Sequence, residues 1–169
     1  MTSKQCFILW LAQGFGIGRI PFAPGTFGSI LGVVFFALLL WADSAWMLAG
    51  GILAGVATSI WLCDQGEKIL NQKDPGSVVM DEVIAIPICF LGWLQMRHAP
   101  LPSPASLFRD HWVAVIVIFA LFRLFDITKP WPVGKSQNLP GGWGVTVDDI
   151  LAAVYVNGVV IAAMAVAAV

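Results

Sequence analysis

The chain has 169 residues, of which 59% are hydrophobic and 11% are charged, with a formal net charge of −1. Its mean hydropathy of +0.85 is far above that of soluble domains and indicates an integral membrane protein. The small net charge and the lack of any run of lysine and arginine argue against a nucleic-acid partner. The length suits a single domain, residues 1–169, with its own apolar core.

Apolar segments alternate with polar ones along the chain, and none shows the period of a strand. This pattern predicts an all-α integral membrane bundle of about five apolar helices. The segment at 83–96 spans only about 21 Å as a helix, against a hydrocarbon core of about 30 Å. It therefore either starts inside the interface or is buried among its neighbours. The apolar segments cover residues 29–41, 45–63, 83–96, 112–122 and 150–169.

The polar segments fall on one side of the membrane if all five apolar segments cross it. Residues 1–28, 64–82 and 126–149 share that side, and residues 97–111 lie on the other, in a predicted loop. The first side carries most of the carboxylates, lysines and arginines. By the positive-inside rule it faces the cytoplasm. Topology alone is therefore expected to bring the three polar segments together.

Two pairs of acids, Asp81-Glu82 and Asp148-Asp149, each stand directly before an apolar segment. Such acids can simply cap a helix. Two pairs on one membrane face favour a cation site instead, because clustered carboxylates beside an apolar segment need a counter-charge. Oxygen ligands without histidine or cysteine suit Mg²⁺, Mn²⁺ or Ca²⁺ rather than Zn²⁺. The candidate ligands are Asp74, Asp81, Glu82, Asp126, Asp148 and Asp149.

Candidate phosphate-binding groups occur in the same polar segments. Arg123 and Lys129 flank Asp126 at a spacing that follows one side of a helix, which the prolines at 130 and 132 are expected to end. Such cations can hold a phosphate beside a metal, or can simply extend their charged ends to the membrane interface. Thr26 and Ser77 are hydroxyls in Gly/Pro turns, so each is either a turn residue or a phosphate ligand.

The glycine- and proline-rich stretch at 14–28 is predicted to be a loop, whose backbone N–H groups can point at an anion. The sequence contains no Walker A motif and no cysteine–arginine phosphatase loop. The remaining chemistry is a phosphate held by a divalent ion, by cationic side chains and by backbone N–H groups. A metal-activated water or a carboxylate would attack it.

The three polar segments resemble, in order and spacing, the phosphatidylglycerophosphatase A family. The matching stretches are GFGIGRIPFAPGTFGS, DPGSVVMDE and FRLFDITKPWPVG followed by GGWGVTVDDILA, which together cover roughly residues 8–160. The resemblance implies an all-helical, Mg²⁺-dependent lipid phosphatase of the bacterial inner membrane. Such an enzyme removes the terminal phosphate of phosphatidylglycerophosphate and leaves phosphatidylglycerol.

This resemblance suggests a role for each candidate residue. Asp81 or Asp149 would orient the attacking water, and Lys129 would act beside the phosphate. The expected Mg²⁺ ligands are Asp81, Glu82, Asp148 and Asp149, with help from Asp74 or Asp126. The expected phosphate ligands are Gly25, Thr26, Ser77, Arg123 and Lys129.

Two other kinds of protein stay open at this point. A small transporter or channel with a carboxylate-lined cation site would also place ionisable groups at helix ends. It would more commonly carry charges within its segments or a duplicated half, and neither occurs here. A scaffold subunit would need no converging carboxylates. The expected partners are the lipid substrate and the bilayer, and the sequence leaves the oligomeric state open.

Overall fold

In the computed structural model, residues 1–168 are described, and that range contains helices and no strand. The all-α prediction is therefore confirmed for this part of the chain. A single turn of 3₁₀ helix, Ile17–Arg19, follows the first helix. The helices are α1 (Ser3–Ala12), α2 (Pro24–Leu40), α3 (Ala45–Leu70), α4 (Met80–Cys89), α5 (Leu91–Met96), α6 (Pro104–Asp110), α7 (Trp112–Thr128), α8 (Val133–Ser136) and α9 (Gly142–Ala167).

The short helix α4 lies at the centre of the bundle and packs against α2, α3, α7 and α9. Glycines on α2 allow the closest of these approaches. A Cβ added to Gly28 or Gly32 would stand only 2.8 Å from Cβ of Val79 or of Ile86. Further along, the rings of Phe36 and Phe90 stack at 4.4 Å with both side chains fully buried. Burying each such side chain stabilises the fold by about 1.5–3 kcal/mol.

Two helix boundaries in the N-terminal half of the chain differ from the sequence prediction. The loop predicted at 14–28 is wrong in its last part, because α2 already begins at Pro24. Proline suits the first helical position, where its missing N–H has no partner to lose. Helix α3 also continues past residue 63 to Leu70, and Asn71 ends it in the left-handed conformation. An ion pair between Asp64 and Lys68, four residues apart, supports this polar extension.

The second half shows similar extensions of helix into predicted loop. Helix α7 runs to Thr128, so Arg123 and Asp126 lie in its last turns, and it ends just before Pro130 as predicted. Helix α9 begins at Gly142, which places the 148–149 pair in its second turn rather than ahead of it. The loop predicted at 97–111 contains helix α6, which begins after Ser103, whose hydroxyl caps it.

Length and composition make two helices, α3 and α9, suitable for crossing a membrane. The pair α6–α7, bent by 88°, would provide a third span if it crosses as one unit. Helix α4 has ten residues and rises about 15 Å, which is too short for a hydrocarbon core of about 30 Å. The fold is thus compatible with a helical membrane protein. The count of about five crossings and the orientation stay predictions.

Candidate functional site

Three carboxylates from two helices meet inside the bundle. Asp81 and Glu82 occupy the first turn of α4, where the helix dipole favours negative charge, and Asp149 reaches them from α9. One carboxylate oxygen of each lies within 4.8 Å of those of the other two. Asp81 and Asp149 are 7% and 3% exposed, so water screens this group of charges poorly. These three residues are called the carboxylate trio below.

Each member of the trio has a buried oxygen without a hydrogen-bond partner in residues 1–168. These atoms are Oδ1 of Asp81, Oε2 of Glu82 and Oδ2 of Asp149. Burying an ionised oxygen without a partner is strongly unfavourable, and three side by side add mutual repulsion. A divalent cation that binds oxygen ligands would satisfy all three at once. The trio could therefore hold a metal ion.

Burial also shifts the titration of the two acids at the start of α4. It raises the pKa of Glu82 to about 7, and the neighbouring charge of Asp126 adds to this effect. Burial raises the pKa of Asp81 well above its ordinary value, and the charge of Glu82 raises it further. Without a cation these acids therefore resist ionisation near neutral pH.

A guanidinium group lies against one side of the trio. Nη1 of Arg123 lies 2.8 Å from Oδ2 of Asp126 and 3.8 Å from Oε1 of Glu82. The same nitrogen donates to the hydroxyl of Ser29 at 3.3 Å, which itself donates to the carbonyl of Gly25 at 2.8 Å. Nε of Arg123 is buried and has no acceptor among the described residues. These contacts through Nη1 therefore fix Arg123 in place.

Gly25 lies directly against this cation and its partner. A Cβ at this position would overlap Oε1 of Glu82 and stand 3.1 Å from both terminal nitrogens of Arg123. A larger side chain would thus displace the charged groups. The sequence candidate Gly25 is indeed at the site, and its neighbour Thr26 lies half-buried in the same first turn of α2.

Lys129 and Asp148 form a second ion pair beside the trio. Nζ of Lys129 lies 2.6 Å from Oδ2 of Asp148, and the other oxygen of Asp148 accepts from the backbone N–H of Asp149 at 3.1 Å. Burial tends to lower the pKa of Lys129. The bond and charge of Asp148 outweigh that effect and raise it, so the lysine is cationic. Lys129 holds its position at the end of α7 with a left-handed backbone, φ +43°.

Two sequence candidates lie outside the trio in other surroundings. Asp74 is exposed, and its Oδ2 accepts from Nε2 of Gln137 at 3.3 Å. Ser77 accepts from Nε2 of Gln13 at 3.2 Å, and Gln13 in turn accepts from Nε of Arg19. Asp126 and Asp148 pair with cations, as described above. The roles predicted for these residues therefore stay predictions.

The structure adds two polar residues that the sequence prediction missed. Ser29 is fully buried and connects Arg123 to the start of α2. Gln13 is 5% exposed and lies between the polar segments at 14–28 and 64–82. A buried serine four residues after Gly25 and a glutamine at the end of an apolar helix are weak signals. Neither could be distinguished from an ordinary polar residue without the fold.

The fold and the site together define a helical membrane-type protein with a buried carboxylate site beside two cations. A family profile for phosphatidylglycerophosphatase A matches residues 10–164. The chain therefore belongs to the phosphatidylglycerophosphatase A family, as the sequence motifs predicted.

Curated relatives match over most of their length. A Bacteroides thetaiotaomicron protein provisionally named phosphatidylinositol-3-phosphatase is 38% identical over 86% of this chain and 86% of its own. Proteins named phosphatidylglycerophosphatase A from Escherichia coli K12 and Haemophilus influenzae are 33% and 35% identical. These cover 88% and 90% of this chain, and 78% and 85% of their own. No solved structure matches the chain significantly.

Proposed function

We propose that this protein is a phosphatidylglycerophosphatase, a phosphoric monoester hydrolase of phospholipid biosynthesis. It hydrolyses phosphatidylglycerophosphate to phosphatidylglycerol and inorganic phosphate. Membership of the phosphatidylglycerophosphatase A family supports this reaction over a transporter or channel. The structural observation that carries the proposal is the carboxylate trio, which has three unpartnered oxygens and lies against the guanidinium of Arg123, with Nη1 3.8 Å from Oε1 of Glu82.

The donor set of the trio fits Mg²⁺, with Asp81, Glu82 and Asp149 as the residues that would hold it. Three carboxylate oxygens without nitrogen or sulfur ligands suit this hard cation. When bound, Mg²⁺ supplies Lewis acidity and neutralises charge on the phosphate. Asp74, Asp126 and Asp148 are less suited as direct ligands, because they are exposed or already paired with other groups.

The cationic side chains bind the phosphate in this proposal. Arg123 offers the N–H groups of its guanidinium, which Ser29 and Asp126 fix in place. Lys129, which pairs with Asp148 beside the trio residue Asp149, neutralises the phosphate from a second direction. The backbone N–H of Gly25, in the first turn of α2, has no helical acceptor and adds a further donor. Thr26 offers its hydroxyl, because its own backbone N–H donates to the carbonyl of Ala23 at 2.9 Å. Ser77 is a more distant candidate.

A trio carboxylate also orients the attacking water. Asp149 and Asp81 are the candidates, because each is buried and has an oxygen with no other partner. Such an oxygen can accept a proton from the attacking water, and this hydrogen bond directs a lone pair of the water oxygen towards phosphorus. Lys129 then stabilises the negative charge that develops on the phosphoryl oxygens.

We further propose that the protein resides in the bacterial inner membrane with this site facing the cytoplasm. The acyl chains of the substrate would remain in lipid while its phosphate reaches the trio. The concentration of lysine and arginine in the polar segments at the site end supports this orientation. The two or three helices that can span a membrane, α3, α9 and the pair α6–α7, would anchor the bundle.

Phosphate release from phosphatidylglycerophosphate by purified protein in detergent tests the proposal. We expect release with Mg²⁺ and none after removal of divalent ions with EDTA. Phosphatidylinositol 3-phosphate serves as a second substrate, since one relative carries that activity in its name. Faster turnover of the inositol lipid would replace the proposed substrate, and no release from either lipid would overturn the enzyme assignment.

A further inference from the structure

We propose that Asn157 on α9 is a positioning residue for the carboxylate trio. Its side-chain amide fixes how α4 and α9 are aligned along their axes, and this alignment lets Asp81 and Glu82 meet Asp149. The inference rests on the metal site of the proposed function. It assigns part of the affinity of that site to a residue that belongs neither to the trio nor to the phosphate ligands.

Asn157 connects the two sides of a break between α4 and α5. Helix α4 ends at Cys89 and α5 begins at Leu91. In a continuous helix the N–H of Gly92 would donate to the carbonyl of Ile88, four residues earlier. The amide of Asn157 contacts both groups: Oδ1 accepts from the N–H of Gly92, and Nδ2 donates to the carbonyl of Ile88 at 2.9 Å. One side chain of α9 therefore binds the backbone of α4 and of α5 at once.

The surroundings of this amide fix its orientation. Nδ2 also donates to the carbonyl of Ala153, one turn earlier on α9, at 2.9 Å. Gly92 leaves no spare room, because an added Cβ would stand 2.8 Å from Oδ1 of Asn157 and 3.0 Å from Cγ1 of Ile161. A polar side chain in an uncharged apolar stretch is costly unless such partners satisfy it. The contact therefore suits an amide rather than an apolar side chain.

The trio and Asn157 are two points of contact between the same pair of helices. On α4, Ile88 follows Asp81 by seven residues (88 − 81), a rise of about 10 Å. On α9, Asn157 follows Asp149 by eight residues (157 − 149), a rise of about 12 Å. The two separations nearly match, so α4 and α9 run in the same direction between these contacts. A shift of one helix along the other would therefore break both contacts together.

The trio cannot hold α4 and α9 together without a cation. When ionised, its three unpartnered oxygens repel one another across the contact between the two helices. Within residues 1–168, every hydrogen bond between the α4–α5 segment and α9 runs through Asn157. Apolar packing also joins these helices, but it is non-directional and does not by itself fix their alignment. Asn157 therefore provides the directional contact that keeps the ligands assembled before the cation binds.

Asn157→Leu removes these hydrogen bonds at nearly constant side-chain volume. The probe is Mn²⁺ alone, added to the purified protein in detergent without substrate, and electron paramagnetic resonance measures the free ion. We expect the Kd for Mn²⁺ to rise about tenfold, the equivalent of one or two ordinary hydrogen bonds, because only the assembled fraction binds tightly. The Mg²⁺ concentration for half-maximal phosphate release should rise by the same factor. The rate at saturating Mg²⁺ should stay within about threefold of the wild type.

Leu107→Ala is the matched control for a general loss of stability. Leu107 is fully buried on α6, which packs against α2 and α7. Its truncation lowers Tm and leaves the hydrogen bonds of Asn157 in place. The Kd for Mn²⁺ should therefore stay within about twofold of the wild type, even where Tm falls as far as in Asn157→Leu.

Gly92→Ala perturbs the same contact from α5 and tests the proposal even if Asn157→Leu does not fold. Its methyl group would displace Oδ1 of Asn157, so the Kd for Mn²⁺ should also rise. The double variant should bind Mn²⁺ within about twofold of the weaker single variant, because both substitutions break one contact.

The outcomes separate this inference from the proposed function. If the wild type binds no Mn²⁺, the metal site of the proposed function fails, and the inference fails with it. If the wild type binds Mn²⁺ and either Asn157→Leu or Gly92→Ala binds it equally well, the positioning role is overturned while the metal site stands. An equal rise in Kd for Leu107→Ala would attribute the effect to lost stability and would also overturn the positioning role.

Discussion

Asp148 and Asp149 are neighbours in sequence and almost equally buried, at 2% and 3% exposure, yet their surroundings differ. Asp148 has a partner for each oxygen, Lys129 on one side and a backbone N–H on the other. Oδ2 of Asp149 has none among the described residues and faces Asp81 and Glu82. The side chains of consecutive helical residues point about 100° apart, so these two neighbouring acids lie in different surroundings. Burial alone therefore does not distinguish a candidate metal ligand from a paired acid, whereas a missing partner does.

The largest expected effect comes from replacing Asp149, the member of this pair that belongs to the trio. Asp149→Asn removes one trio carboxylate, and we expect phosphate release to fall about a thousandfold, because the substitution weakens both Mg²⁺ binding and water orientation. The measurement is the rate at increasing Mg²⁺ concentration in detergent. Circular dichroism should show the helical content of the wild type.

Asp148→Asn is the matched control for this substitution. Since Asp148 pairs with Lys129 rather than with the trio, the Mg²⁺ concentration that gives half-maximal activity should change by less than about threefold. A large change in that concentration would make Asp148 a metal ligand, as the sequence motif first suggested.

Breaking the ion pair between Lys129 and Asp148 is expected to have a smaller effect, which is on the free energy of unfolding. Lys129→Met leaves the buried Asp148 without its cation, and we expect the free energy of unfolding to fall by about 1–3 kcal/mol. The double variant Lys129→Met/Asp148→Asn should recover most of this loss, because no buried charge remains unpaired. Denaturant unfolding in detergent measures both. Additive losses in the double variant would show that the two residues do not interact.

The trio should make thermal stability depend on pH and Mg²⁺ together. The pKa of Glu82 in the folded protein is raised to about 7 from an ordinary 4.5, so metal-free stability falls as pH rises through about 7. A bound cation removes this penalty. The gain in Tm on adding Mg²⁺ should therefore be larger at pH 8 than at pH 6, by a few degrees. Glu82→Gln should flatten this dependence, and an equal gain at both pH values in the wild type would contradict it.

The general location of the site could be predicted from the sequence, because topology and electrostatics act through the order of segments. Apolar segments of alternating direction bring the stretches around Gly25, Asp81 and Asp149 to one end of the bundle, and the structure confirms that meeting. What could not be predicted is which acids face one another. That depends on how each helix is rotated about its own axis. The rotation is set by packing contacts, such as those that Gly28 and Gly32 of α2 make with α4.

Helix boundaries were less predictable, because polar residues near the site are stabilised by partners from distant parts of the chain. The 148–149 pair looked like the start of a helix, yet α9 already begins at Gly142. Arg123 and Asp126 were expected on a helix, but their neighbours Ser29 and Glu82 were not foreseen. A local pattern carries no information on such contacts. Pro130, by contrast, acts locally and marked the end of α7 within two residues.

The smallest effect is expected at Asp74, a sequence candidate outside the carboxylate trio. Asp74 is exposed and borders a polar pocket of about 310 Å³ together with Gln137, so solvent already satisfies its charge. Asp74→Asn should change kcat/KM by less than about threefold, as exposed substitutions commonly do. Parallel rates for Asp74→Asn and Asp149→Asn at saturating Mg²⁺ provide the measurement. A loss at Asp74 comparable with that at Asp149 would mean that this segment closes onto the trio when metal binds, and that an exposed acid can be a ligand here as well as a buried one.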